Sequence, residues 1–149
     1  MLFRSAKKCA IQKGDIFFTP SSEMRFDIAI PAVAMEDIPD AVYSYHLVRF
    51  RLHEDWDLQF RVYIFQTKNF IDQAERVCEG SGKRYVITLP KFRELTVSYP
   101  SDKKEQFRIS EILSEMDAEV AALETKLEKY KMIKQGMMQT LLTGQIRLI

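Results

Sequence analysis

The stretch that decides the fold runs from residue 101 to residue 145 and has the sequence SDKKEQFRISEILSEMDAEVAALETKLEKYKMIKQGMMQTLLTGQ. Glu105 follows Asp102 by three residues, which is the spacing of a capping box at the start of a helix. From there to Leu142 the sequence contains no proline, and Gly144 suits the left-handed conformation that ends a helix. The pattern predicts one helix of about forty residues, roughly 60 Å long at about 1.5 Å per residue.

A heptad repeat of apolar residues runs along this predicted helix. Nine of its eleven a and d positions are apolar, and the exceptions are Gln106 and Lys134. The alternative is a surface helix that lies along its own domain, but the apolar stripe continues far beyond the length that such a domain could cover. We therefore predict that the helix pairs with a second helix through Ile109, Leu113, Met116, Val120, Leu123, Leu127, Tyr130, Met137 and Leu141.

The order of charges along the helix predicts the direction of that pairing. Five acidic residues and no basic residue lie between Glu111 and Glu124, whereas four lysines and one acidic residue lie between Lys126 and Lys134. A parallel copy would place like charges together, and an antiparallel copy places the acidic half against the basic half. Each exposed pair contributes only about 0.2–1 kcal/mol, so the charges select direction more than they add stability. We expect an antiparallel homodimer.

Residues 1–99 have a different character from residues 100–149. They hold four of the five prolines and three of the five glycines, together with short runs rich in β-branched and aromatic residues. Thr67 is suited to begin a helix from Lys68 to Glu79, and Asp55 or Asp57 is suited to begin another that ends at Phe65. The predicted fold class is α+β: a small mixed domain over 1–99, followed by a long C-terminal helix that forms an antiparallel coiled coil. The predicted strands are Ile16 to Phe18, Ile28 to Val33, Val42 to Phe50, Tyr85 to Leu89 and Leu95 to Tyr99.

The composition excludes several classes of protein. Lys and Arg number 22 against 21 Asp and Glu, so nucleic-acid binding would depend on local patches rather than on bulk charge. Two cysteines cannot form a dense disulfide framework, and no apolar run approaches the roughly 18 residues of a membrane span. The segment from Gly80 to Lys83 fails the spacing of a phosphate-binding loop, and His46 and His53 lack the spacing of a metal site. We expect a cytoplasmic protein that is not an enzyme and has no catalytic residues, metal or cofactor.

Two stretches resemble the specificity (S) subunit of type I restriction–modification systems. One is KGDIFFTPSSE at residues 13–23, and the other is KQGMMQTLLTGQIRL at residues 134–148. The resemblance implies that a complete S subunit has two target-recognition domains, each of which recognises half of a bipartite DNA sequence, and two long antiparallel helices. It also implies partner methyltransferase subunits that modify adenine N6, and a restriction subunit that can join them.

This chain departs from the family pattern because it has one recognition domain, over residues 1–99, and one helix, over residues 100–149. We therefore expect a half-subunit that pairs with a second copy, and whose recognition domain is truncated at its N-terminus. An alternative hypothesis is an interaction remnant that dimerises through the coiled coil, or binds the methyltransferase, without binding DNA. A third is a free-standing dimeric transcription regulator that binds a palindrome.

DNA recognition requires donors and acceptors for base edges and cations for phosphates. Ser21, Ser22 and Arg25 are predicted in a polar loop after a strand, although the two serines would serve equally well to cap a turn. Lys83 and Arg84 follow two glycines that let the backbone approach a ligand, and we predict a DNA contact there. Lys68 is a weaker candidate on the surface of a predicted helix. Two interpretations are open for Arg49, Arg51 and Arg61. These arginines form either a basic stripe or ion pairs with Glu54, Asp55 and Asp57.

Overall fold

The computed structural model describes residues 10–44 and 46–148. Short strands and helices precede one long helix, as predicted for an α+β fold. The strands are β1 Ile16–Phe18, β2 Ser21–Ser22, β3 Pro31–Val33, β4 Val48–Phe50, β5 Glu79–Ser81 and β6 Arg84–Val86. The α-helices are α1 Phe60–Ile64, α2 Lys68–Val77, α3 Leu89–Phe92 and α4 Lys103–Leu142, and a 3-10 turn covers Arg25–Asp27.

The strands form two small antiparallel sheets. The first has the order β3–β1–β4, and the second has the order β2–β6–β5. Strand β1 is central in the first sheet, where Phe18 lies opposite Pro31 on one side and Val48 on the other. All three residues of β1 are buried, which explains the uninterrupted apolar run in its sequence.

An aromatic cluster around Phe18 forms the centre of the hydrophobic core. The Phe18 ring lies 5.7 Å from Phe50 and 5.2 Å from Phe65, both in edge-on geometry, and 5.0 Å from Phe92. Edge-on aromatic pairs add stability beyond the apolar area that they bury. The rings come from β4, α3 and the end of α1, so one residue of the central strand holds several elements together.

Several predicted strands are shorter than the sequence suggested, and one does not form. Residues 95–99 do not form the predicted strand. The side chain of Gln73 forms hydrogen bonds with the backbone of Thr96 in place of a neighbouring strand. Its Oε1 accepts a hydrogen bond from the Thr96 N–H at 3.1 Å, and its Nε2 donates one to the Thr96 carbonyl at 3.0 Å. The strand predicted from Ile28 to Val33 forms only from Pro31, because Ala29 has a φ of 59°, which lies in the left-handed region and not in the extended region of a strand. The run from Tyr85 ends at Val86, and Leu89 begins α3, with Pro90 in its first turn.

Helix α4 confirms the prediction of one long C-terminal helix. Asp102 Oδ1 accepts a hydrogen bond from the Lys104 N–H at 2.9 Å, and Gly144 has a φ of 74° just beyond the helix end. The first two turns belong to the compact unit that ends at Ser110, eleven residues beyond the boundary expected at residue 99. Gln106 and Ser110 are both buried there, so the polar residue at the first a position has a structural role in this unit.

Residues 111–149 form the second compact unit, of which 111–148 are described. No residue between 111 and 148 is buried, and Met116, Leu123 and Tyr130 are each more than half exposed. Coiled-coil pairing therefore stays a prediction from the heptad pattern. Within the described chain, no helix is long and apolar enough to cross a membrane.

Candidate nucleic-acid interface

The second sheet brings together four of the residues proposed from the sequence for DNA contact. Strand β2 pairs with β6 so that Ser22 lies opposite Tyr85 and Ser21 lies opposite Val86. Strand β5 pairs with the other edge of β6, and the connecting turn carries Lys83 directly before Arg84. Ser21 and Ser22 therefore lie in a strand rather than in the predicted loop, because the hairpin supplies their backbone with a partner.

Glycine at position 80 allows this hairpin to close. Gly80 has a φ of 127°, and a Cβ there would lie 2.1 Å from the backbone oxygen of Arg84. Because no side chain fits at that distance, only glycine lets β5 approach β6 in this register. The hairpin also corrects the predicted end of α2, which stops at Val77 instead of Glu79. Gly80 thus lies within a strand, not at a helix end.

Strand alternation divides the proposed residues between the two faces of this sheet. Residues directly opposite each other in an antiparallel pair share a face, and successive residues alternate. Ser21 and Arg84 therefore share one face, whereas Ser22 shares the other face with Tyr85, which packs against the hydrophobic core. Ser22 Oγ accepts a hydrogen bond from the Met24 N–H at 3.1 Å, so Ser22 has the turn-capping role that was its alternative interpretation.

Arg25 lies next to this sheet on the 3-10 turn that follows β2. Its Nε donates to the Glu75 carbonyl near the end of α2 at 3.0 Å, and the residue stays exposed. Lys68 lies at the other end of α2, about 10 Å from Glu75 along the helix axis. There its Nζ contacts both carboxylate oxygens of Asp72, at 2.9 and 3.0 Å. The structure thus groups Arg25 with the sheet and separates Lys68 from it.

Three arginines considered for a basic stripe are held by the domain itself. Arg51 donates two hydrogen bonds to the buried carboxylate of Asp15, from Nε at 2.6 Å and from Nη2 at 2.7 Å. Arg49 Nη1 lies 3.9 Å from the same carboxylate, and Arg61 donates to the carbonyls of Gly14 and Trp56. The expected pairing with the acidic residues at 54, 55 and 57 was wrong for Arg51, whose partner is 36 residues earlier in the chain.

The electrostatics of Asp15 follow from this arrangement. Burial raises the pKa of the Asp15 carboxyl group. This effect is outweighed by the hydrogen bonds from Arg51 and from the Gln12 N–H and by the positive charges of Arg51 and Arg49. The pKa therefore lies below its usual value. Asp15 is therefore ionised at neutral pH. It belongs to the stretch 13–23 that resembles the S subunit, and its contacts with Arg51, Arg49 and Gln12 give this residue a role in the fold.

The acidic residues of the segment 54–57 serve the domain as well. Asp55 pairs with Lys103 at 2.5 Å, and this hydrogen bond lowers the pKa of the Asp55 carboxyl group. Hydrogen bonds from Trp56 and from Tyr99, both at 2.8 Å, lower the pKa of Glu54. Asp57 accepts from the Phe60 N–H at 2.9 Å, as predicted for a residue that begins a helix. Across residues 10–44 and 46–148, no three His, Cys, Asp or Glu side chains form a group that could hold a metal ion.

A family model of the type I restriction modification DNA specificity domain matches residues 3–132. This chain belongs to that family. The family suggested by residues 13–23 and 134–148 is therefore confirmed, and the match includes both the second sheet and most of α4. No curated protein is significantly similar to this specificity domain.

Among solved structures, the specificity domain is similar to the crystal structure of a type I restriction-modification system S subunit from M. genitalium. The TM-score is 0.62 at 18% sequence identity, and the match covers 90% of this chain and 34% of that one. The likeness shows a shared fold. The specificity domain and its helix span about a third of the length of that S subunit.

Proposed function

We propose that this chain is the DNA-recognition and scaffold half-subunit of a type I restriction–modification complex. Its domain recognises one half of a bipartite target, and its helix pairs with a second copy so that the two domains together recognise both halves. The methyltransferase subunit supplies the chemistry at adenine N6, and a restriction subunit can join the complex. The chain itself carries out no reaction. The observation that carries this proposal is the family match across residues 3–132.

The geometry supports the second sheet and the adjacent turn as the DNA-contacting surface. Lys83 and Arg84 are exposed at the tip and edge of a hairpin, and Arg25 is exposed on the neighbouring turn. Ser21 shares the strand face of Arg84 and adds a hydroxyl group that can donate or accept a hydrogen bond. Exposed cations beside a small polar side chain suit contacts to phosphates and base edges. Lys68 stays a candidate, but its contact with Asp72 reduces its availability for phosphate.

The exposed apolar face of α4 supports self-pairing. None of the apolar a and d residues from Leu113 to Leu141 is buried in the single chain. Ile109 differs from them, because it packs partly against the hydrophobic core of its own domain. The proposed seam therefore comprises Leu113, Met116, Val120, Leu123, Leu127, Tyr130, Met137 and Leu141. Burial of such a stripe stabilises association by roughly 25 cal/mol for each Å² of apolar surface.

Salt-dependent duplex binding tests the DNA-recognition half of this proposal. The chain, alone and co-purified with its methyltransferase, is titrated against a pool of fluorescent duplexes of randomised sequence. Phosphate contacts release counterions, so we expect the logarithm of the binding constant to fall linearly with the logarithm of salt concentration between about 50 and 200 mM. Replacement of Lys83 and Arg84 by alanine should reduce that slope by about 0.9 for each phosphate that the variant no longer neutralises.

The matched control is Lys104→Ala with Arg108→Ala, which removes the same charge from exposed positions on the first turns of α4. This control should leave the slope unchanged if the hairpin is the contact surface. Equal effects of the two variants would exclude the hairpin as a specific site. Absence of salt-dependent binding together with retained self-association or methyltransferase binding would favour the interaction remnant. Tight binding to a palindrome without any methyltransferase would favour a transcription regulator.

A further inference from the structure

The turn that follows β2 presents large apolar side chains to solvent on both sides of an arginine. Phe26 is 65% exposed, which is more than any other phenylalanine, tyrosine or tryptophan among the described residues. Met24 is 51% exposed and Ile30 is 50% exposed, whereas Ile28 between them is buried. Exposed apolar side chains that are grouped in this way indicate a contact with another molecule.

Hydrogen bonds anchor the backbone of this turn. Ser22 Oγ accepts from the Met24 N–H at 3.1 Å, and the Met24 carbonyl accepts from the Asp27 N–H at 3.3 Å. The Nε atom of Arg25 donates to the Glu75 carbonyl at 3.0 Å, which connects the turn to α2. A ligand would therefore meet side chains whose backbone is already fixed, and binding would cost less conformational entropy.

The guanidinium group of Arg25 retains free hydrogen-bond donors. The hydrogen bond to Glu75 uses only Nε, and the two terminal NH₂ groups have no hydrogen-bond or ion-pair partner in the part of the chain that the structure describes. These two groups can donate a pair of parallel hydrogen bonds. Guanine offers a matching pair of acceptors, O6 and N7, in the major groove of DNA.

Acidic residues near Arg25 favour a base edge over a phosphate as its partner. Glu23 and Asp27 each lie two positions from Arg25 in the sequence, and Glu75 lies beside it on α2. Carboxylates repel a negatively charged phosphate, but they do not oppose the approach of a neutral base. The apolar neighbours of Arg25 also suit a base edge, because the 5-methyl group of thymine is apolar.

The turn lies at the same end of the second sheet as the exposed cations of the hairpin. Strand β2 runs antiparallel to β6, so the end of β2 lies beside the start of β6. Lys83 and Arg84 are at that start, and neither side chain forms an ion pair within residues 10–44 and 46–148. Duplex DNA bound at the hairpin would therefore also meet the turn.

We propose that the turn from Met24 to Phe26 contacts base edges in the major groove, where Arg25 donates to O6 and N7 of a guanine and Phe26 packs against the 5-methyl group of a neighbouring thymine. The inference rests on the DNA recognition proposed above and deepens it, because it adds a base-specific turn beside the hairpin. Arginine with guanine is the commonest specific contact to a base, and phenylalanine is among the side chains that contact the thymine methyl group. The recognised half of the target thus contains a guanine next to a thymine.

Base analogues test both contacts before the target sequence is known. The full chain, co-purified with its methyltransferase, first enriches bound duplexes from a pool of randomised sequence. The enriched pool is then copied with uracil in place of thymine, which removes the 5-methyl group, or with 7-deazaguanine in place of guanine, which removes the N7 acceptor. We expect uracil to weaken binding about fourfold, as for the loss of one buried methyl group. We expect 7-deazaguanine to weaken it at least about fivefold.

Two substitutions assign each preference to its residue. Phe26→Ala should reduce the preference for thymine over uracil about fourfold, and Arg25→Ala should reduce the preference for guanine over 7-deazaguanine at least about fivefold. The matched controls are Phe107→Ala and Arg108→Ala, which remove the same side chains from exposed positions on the first turns of α4. Both controls should retain both preferences.

The outcomes separate this inference from the DNA recognition on which it rests. Salt-dependent binding by the wild type without these preferences, or persistence of either preference in its variant, overturns the inference and leaves DNA recognition intact. Loss of methyltransferase from Phe26→Ala with both preferences retained assigns the turn to a protein contact and also overturns the inference. Absence of salt-dependent duplex binding by the wild-type complex overturns both proposals. Selective loss of each preference in its own variant supports the inference.

Discussion

Replacement of Asp15 by asparagine tests the electrostatic organisation of the domain. The side chain of Asp15 is fully buried and accepts two hydrogen bonds from Arg51 and one from the Gln12 N–H. An asparagine retains one acceptor oxygen and places its NH₂ group towards a guanidinium donor. Loss of a charge-assisted hydrogen bond costs about 1.5–3 kcal/mol, and a broken ion pair that is fully buried costs about 3–5 kcal/mol. Because the Arg51 side chain is 42% exposed and water can solvate it, we expect a loss of about 2 kcal/mol.

Urea unfolding followed by the fluorescence of Trp56 measures this loss, because that tryptophan is buried in the domain core. The matched control is Asp40→Asn, at an exposed position with a φ of 61°, where asparagine is well tolerated. The folded pKa of Asp15 lies below its unfolded value of about 3.9, so its contribution is complete above that value and decreases as the pH falls through the folded pKa. The difference between wild type and Asp15→Asn should therefore narrow on acidification. A loss under about 0.5 kcal/mol at pH 7 would refute a stabilising role for the ion pair.

Two further substitutions address the helix and the hairpin. Leu123→Glu should convert the proposed dimer to monomer in sedimentation equilibrium, because it places a charge in the apolar seam. An unchanged mass would contradict the heptad assignment. Gly80→Ala should destabilise the domain by about 1–3 kcal/mol and weaken duplex binding, because its Cβ would collide with the Arg84 carbonyl. Gly136→Ala, in open space within α4, should instead raise the thermal stability, by about 1 kcal/mol. A loss of stability for Gly80→Ala together with a gain for Gly136→Ala would distinguish backbone strain in the hairpin from helix propensity in α4.

The long helix was predictable because its determinants are local. The start at Asp102, the end near Gly144 and the apolar period all lie within the helix sequence, and the structure reproduces the helix with both of its ends. The family was also predictable, since the two matching motifs are continuous stretches. The contact of the first turns of α4 with the domain was less predictable, because the sequence shows Gln106 only as a polar interruption of the heptad repeat. The Asp57 N–H donates to Gln106 Oε1 at 2.9 Å across 49 residues of sequence.

The candidate site also depends on contacts between residues that are distant in the sequence. Lys83 and Arg84 were proposed from their neighbouring glycines, and their contact with DNA stays a prediction. The strand partner of Ser22 could not be predicted, because it lies far along the chain, at Tyr85. Gln73 lies within the helix predicted from Lys68 to Glu79, and its amide group forms hydrogen bonds with the backbone of Thr96, 23 residues later. In each case a side chain or strand edge finds a partner through tertiary contact, which no local pattern encodes. The signal that could have revealed Asp15 is its position beside a fully apolar strand, where an isolated carboxylate requires a cation.

The anchoring of Arg49 and Arg51 around Asp15 distinguishes these two arginines from the exposed basic residues of the hairpin. These arginines maintain the fold, whereas Lys83 and Arg84 on the hairpin are exposed. Sequence changes at the hairpin tip can therefore accumulate with little loss of folding stability, since surface substitutions usually alter it by less than about 0.5 kcal/mol. If the hairpin contacts DNA as we propose, a scaffold of this kind can acquire a new DNA target by exchanging a few tip residues, while its interior remains unaltered.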